Sequence, residues 1–198
     1  RVQNSMAKTP QKAMELMESV WPAAIARVKE EVADMQAMAD KEGAKIKIEP
    51  WDYRFYAEKV RKEKYDLDQN EVKEYLQLEK LREGMFWVAG ELFNFSFTPL
   101  SNIPVYHADV KAYEVYDNDG TFLAVFYADF FPRQGKHGGA WMTEFKGQCI
   151  NHKGANIRPH VMVVMNFTKP TLDKPALLTL GEVETFLHEF GHSLHGIF

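Results

Sequence analysis

One cysteine, Cys149, is all that the 198 residues contain. No disulfide can close within the chain, which suits a reducing cytoplasm, the compartment this reading assigns to the parent protein. Basic blocks are missing too. The 24 Lys and Arg residues are scattered against 28 Asp and Glu, for a net charge of −4, which argues against a nucleic-acid partner. No apolar run approaches the roughly 20 residues of a membrane span, and the start carries no signal-peptide pattern. Neither an internal repeat nor a low-complexity linker stands out. An initiator methionine is also lacking, since the chain begins Arg1-Val2-Gln3 and stops at Gly196-Ile197-Phe198. Both ends read as cuts in a longer protein, so the missing signal peptide says nothing of the parent's location. What remains, 45% hydrophobic and 26% charged, is the composition of an ordinary globular chain with one substantial core or two small ones.

The first third reads as helix. Met14, Met17, Trp21, Ile25, Val28, Val32, Met35 and Ala39 recur at three- and four-residue steps, one apolar stripe that reads as core rather than as a ligand surface. Pro22 either kinks this helix or opens a second one capped by Ser19, and Gly43 is a stop. Asp52 can cap a segment through Arg61, and Asp68 one from Gln69 towards Arg82, with a further helix over 83–94. The charges of 58–64 form a solvated face.

The pattern changes after Pro104. Residues 111–116 are rich in β-branched and aromatic side chains, Asp117-Asn118-Asp119-Gly120 is a turn signal, and 121–131 is a near-continuous apolar run. Together they predict a hairpin whose second strand is buried on both faces. A Gly-rich turn over 132–139 precedes a return strand within 141–150, and 161–167 is another strand. The reading is mainly α with a small β-sheet (α+β), with a helical region at 1–104. Residues 105–198 carry the sheet and a final helix, part of one domain continuing beyond the chain end.

That final helix carries His188-Glu189-Phe190-Gly191-His192. On a helix the two histidines stand one turn apart on one face and can close on a single metal ion, while Glu189, about 100° round, can reach an activated water without occupying a coordination position. This is the arrangement of a zinc hydrolase. Thr179-Leu180-Gly181-Glu182 reads as a capping box, and Val183, Phe186, Leu187, Phe190 and Leu194 form an apolar stripe beside the histidines. The bland alternative is an amphipathic helix with solvated histidines.

A catalytic zinc needs a third protein ligand. His195 lies about 10 Å up the axis from His188, so a straight helix cannot bring both onto one ion together with His192. Glu184 meets the same obstacle and is read as a hydrogen-bond partner of the His188 imidazole. His107, His137, His152 and His160 read as surface or loop residues, with His137 and His152 the candidates for lining a cleft. An edge strand of the small sheet could pair with an extended peptide.

The run from Phe186 to His195 resembles the active-site helix of the thimet oligopeptidase family of zinc metallopeptidases. Asn166-Phe167-Thr168-Lys169-Pro170-Thr171, Leu177-Leu178 and Glu182-Val183-Glu184-Thr185 are similar to that family too. So are Asp129-Phe130-Phe131-Pro132-Arg133, Gly135-Lys136 and Gly138-Gly139-Ala140-Trp141-Met142. Residues 50–56, Lys64-Tyr65-Asp66-Leu67 and the Gly-Gly-Ala-Trp run are most like its bacterial peptidyl-dipeptidase branch. The resemblance implies a zincin-like catalytic region of a helical, two-lobed oligopeptidase with a deep channel that admits short peptides and releases C-terminal dipeptides. It makes His188 and His192 ligands of one Zn2+ and Glu189 the general base. The family's third ligand is a glutamate roughly two dozen residues past the second histidine. A chain that stops at Phe198 is therefore expected to be inactive alone, to hold zinc weakly, and to self-associate through its truncated surface. No nucleic acid or membrane partner is implied. An endo-acting oligopeptidase of the same family, and a non-catalytic peptide-binding scaffold, stand as the alternatives.

Overall fold

A threonine followed by a proline starts the first helix. In the computed structural model, which describes residues 7–65 and 69–198, the Thr9 side chain accepts from the Lys12 N–H at the head of α1 (Pro10–Lys41). Pro22 lies inside this helix without ending it. Ser19 caps nothing, since its hydroxyl donates to the Leu16 carbonyl at 2.7 Å. The helix closes at Glu42, with Gly43 at φ 73° just beyond.

The apolar stripe of α1 is core only towards its C-terminal end. There Val32, Met35, Met38 and Ala39 pack with Ile48, Tyr56, Ala57 and Val60, where α2 (Tyr53–Tyr65) folds back against it. Met14, Met17, Trp21 and Val28, read as core from their spacing, stand 48–67% exposed. Periodicity identifies the face of a helix, and a neighbouring element decides whether that face is covered. Asp52 precedes α2, but its carboxylate turns back to accept from the Glu49 N–H at 3.1 Å. The Asp68 cap lies outside the described residues.

The chain forms two compact units, Arg1–Asp68 and Gln69–Phe198. The division at 104/105 drawn from sequence falls inside the second unit, where residues 78–93 pack against the sheet and 96–100 pair within it. The sequence predicts two helices with the break at 82/83, one from Gln69 towards Arg82 and one over 83–94. Two form, but the break comes earlier, between α3 (Gln69–Tyr75) and α4 (Leu78–Phe93). The break falls where the backbone pairs with residues far along the chain: Leu78 N–H donates to the Ala176 carbonyl at 2.9 Å, and Leu178 N–H to that of Leu76 at 2.8 Å. Asn94 ends α4 in the left-handed conformation, φ 59°.

The sheet of the second unit runs β1-β2-β3-β7-β4. β1 (Ser96–Leu100), absent from the sequence reading, is an edge strand, where Pro99 is tolerated. β2 (Lys111–Tyr116) and β3 (Phe122–Asp129) form the expected hairpin, and β3 is buried on both faces. β7 (His160–Val164) lies parallel to β3, and β4 (Trp141–Lys146) antiparallel to β7 as the second edge. Between them a two-strand ribbon, β5 (Cys149–Ile150) with β6 (Asn156–Ile157), projects separately. One face of the sheet, with Phe126, Val161 and Val163, packs under α4 and α5 (Leu180–Ile197). The other face gathers Val125, Tyr127, Met162 and Val164. The unit is thus α+β, helices on one side of a small mixed sheet.

Candidate active site

The site begins with the cap of α5. Thr179 accepts from the Glu182 N–H at 3.1 Å while the Glu182 carboxylate accepts from the Thr179 N–H at 2.7 Å, the reciprocal box legible in the sequence. Phe186, Phe190, Ser193 and Ile197 then turn into the core. Phe186 meets Phe130 and Phe167 edge-on, and Phe190 lies among Phe86, Phe97 and Phe126, with ring centroids 5.1–6.1 Å apart. Burying each ring stabilises by roughly 1.5–3 kcal/mol. These anchors fix the rotation of α5 about its axis, and His188 and His192 are left on the exposed side.

There the two Nε2 atoms face each other at 3.1 Å. Two nitrogens bound to one tetrahedral zinc at 2.0–2.1 Å would stand about 3.3 Å apart, so the pair fits a shared metal with little adjustment. Among the described residues no group of three His, Cys, Asp or Glu side chains converges on one point. Glu184 is exposed, and the partner of His188 is His192 rather than Glu184. His195 is exposed on the following turn.

Glu189 is half-buried. At 100° per residue it lies within about 20° of Glu182 and Gly196 and within about 40° of Thr185. Gly196 lies so close to β4 that a Cβ there would stand 2.5 Å from Met142 Cε and 2.9 Å from Glu144 Oε1. At the other end of this stripe, Glu182 and Thr185 line a hollow of about 260 Å3 with Gly139, Ala140 and Asn166. The azimuth of Glu189 is thus that of the α5 stripe which meets β4 at Gly196, and β4 is an edge strand of the sheet among the described residues.

The remaining histidines separate. His137 lines a cavity on the opposite sheet face with Tyr106, Arg133, Trp141 and Phe145. His152 sits in the exposed turn of the β5–β6 ribbon. His160 belongs to β7, not to a loop, and meets the Tyr127 hydroxyl at 3.1 Å, while burial pushes its pKa down. His107 accepts from the Asp109 N–H at 3.1 Å.

Sequence reasoning did not foresee the polar centre at Asp129, 1% exposed at the end of β3. Arg133 donates to both of its oxygens, and Lys136 and Tyr106 donate as well, at 2.8–2.9 Å. Burial pushes the Asp129 carboxyl up, but the hydrogen bonds from Arg133, Lys136 and Tyr106 outweigh it and hold it below the ordinary carboxylate range. Burial pushes the Lys136 ammonium down against the pull of Asp129.

Compared with known proteins, residues 1–198 match the model of peptidase family M3. The chain belongs to this family. It is 45% identical to the dipeptidyl carboxypeptidase of Escherichia coli (strain K12), over 100% of the chain and 29% of that protein. Identity to the organellar oligopeptidase A of Arabidopsis thaliana is 38%, over 94% of the chain and 24% of that protein. For oligopeptidase A of Escherichia coli (strain K12) the identity is 32%, over 96% and 28%. The chain thus spans less than a third of the length of these M3 relatives. No helix among its described residues is long and apolar enough to cross a membrane.

Proposed function

We propose that this chain carries the metal helix and substrate edge of a zinc peptidase that shortens peptides, His188 and His192 holding the metal and Glu189 acting as general base. The observation that carries the reading is the pair of imidazole nitrogens 3.1 Å apart, with the half-buried Glu189 next in the helix after His188. Zinc would polarise the scissile carbonyl and bring the attacking water into the range where Glu189 can deprotonate it. An extended peptide paired with β4 would pass the Glu189 side of α5. Glu189 takes the proton of the attacking water and returns it to the leaving amine. Phe186 and Phe190, packed in the core, keep the three side chains in register.

The higher identity to a dipeptidyl carboxypeptidase than to either oligopeptidase A supports release of C-terminal dipeptides from short peptides. The test uses the full-length protein that contains this chain, incubated with a nine-residue peptide and its C-terminally amidated form. Successive loss of dipeptides from the free C-terminus, abolished by chelator and restored by zinc, is the expected result. Internal cleavage of both peptides would move the assignment to an endo-acting oligopeptidase, and chelator-insensitive peptide binding without cleavage would leave a scaffold.

A further inference from the structure

The turn between β3 and β4 contains three glycines, and Gly135 (φ 80°) and Gly139 (φ 94°) adopt left-handed conformations. Such a segment has much conformational freedom to lose, yet it determines where the free edge of β4 begins. Two polar clamps hold it. At its start Lys136 donates to the carbonyl of Phe131 at 2.8 Å as well as to Asp129. At its end one side chain does the work of a strand: Asn166 Nδ2 donates to the carbonyls of His137 at 2.9 Å and Gly139 at 2.8 Å. Asn166 follows β7 by two residues, and Trp141, the first residue of β4, pairs with Val164 at the end of β7. The amide thus prolongs the β7–β4 pairing past its last ladder position, into the turn. It does so in the wall of the hollow shared by Gly139, Ala140, Glu182 and Thr185, on the Glu189 side of α5.

We infer that Asn166 is a positioning residue for substrate binding, holding Gly138–Ala140 and the first residues of the β4 edge at a fixed distance from Glu189. The inference rests on the peptidase reading. An Asp at this position keeps the shape but offers no donor and sets a carboxylate against two carbonyl oxygens, while Ala removes the side chain altogether.

Two measurements on the full-length protein test it, for wild type, Asn166→Ala and Asn166→Asp. In hydrogen exchange, the amides of 138–142 should exchange faster in both variants while those of α5 do not. In kinetics with an extended peptide, KM should rise about tenfold, with kcat within about threefold and zinc content unchanged. Unchanged exchange at 138–142, or a KM within twofold of wild type, overturns the positioning role alone. A loss of kcat with zinc content places Asn166 in the support of α5 instead, and overturns it too. An inactive wild type overturns the peptidase reading and with it this role.

Discussion

Asp129 and Arg133 face each other through two parallel hydrogen bonds of 2.8 and 2.9 Å across the junction of β3 and the turn that follows it. The carboxylate is buried, and so is the side chain of Lys136, 3% exposed, which also donates to Oδ1. Removing one partner of such a cluster leaves charge unpaired in the interior. Asp129→Asn should therefore destabilise the second unit by about 3 kcal/mol near neutral pH, read from urea unfolding. The sign with pH follows from the depressed pKa. Stability from Asp129 is fully present above its unfolded value, about 3.9, and is lost as pH falls through the lower folded one. The gap between wild type and variant should stay constant from pH 7 to about 5 and close only in stronger acid. A gap that vanished by pH 5 would contradict a depressed pKa.

Glu189→Gln keeps the shape of the side chain and removes its basicity. In the full-length protein this variant should retain zinc and lose peptide turnover by about 100-fold or more. Zinc is read by metal analysis and turnover by product release. Near-normal turnover would sink the assignment of Glu189 as base.

Zinc should bind weakly to the 198-residue chain itself. Two imidazoles fill half of a tetrahedral set, and no group of three candidate ligands converges among the described residues. Metal titration should give an affinity lost on dialysis, and His188→Ala or His192→Ala should abolish it. Stoichiometric zinc surviving dialysis would require a third ligand in this chain.

Thr179→Ala removes the acceptor of the Glu182 N–H and uncouples the capping box of α5. The expected cost is about 1 kcal/mol in urea unfolding, with faster exchange in the first turn of the helix. Equal stability would show that α5 is held by Phe186 and Phe190 alone.

Much of the site was legible because its signals are local. A capping box needs four residues, a pair of histidines one helical turn, and the periodic placement of Phe186 and Phe190 says which side of α5 enters the core. The β2–β3 hairpin was legible for the same reason, its turn and alternation lying within 20 or so residues. What failed was non-local. The break between α3 and α4 arises from backbone pairing between 76–78 and 176–178. β1 becomes a strand because β2 lies beside it, and no short-range pattern in Ser96–Leu100 announces that. His160 looked like a loop residue because it opens a short strand set between β4 and β3, and β3 lies more than 30 positions earlier.

By itself, then, the sequence determined the two ligand candidates, the candidate base, their helix and the face the histidines share, since a 3.6-residue period and a capping box act within a few turns of the backbone. Only the tertiary structure decided which way that helix faces the sheet, that Gly196 of α5 closes on β4, and that Asn166 and Asp129 hold the turn between them. Those relationships join residues dozens of positions apart. Their energies come from burial and from polar groups satisfied across the fold, which become visible when the strands are in place.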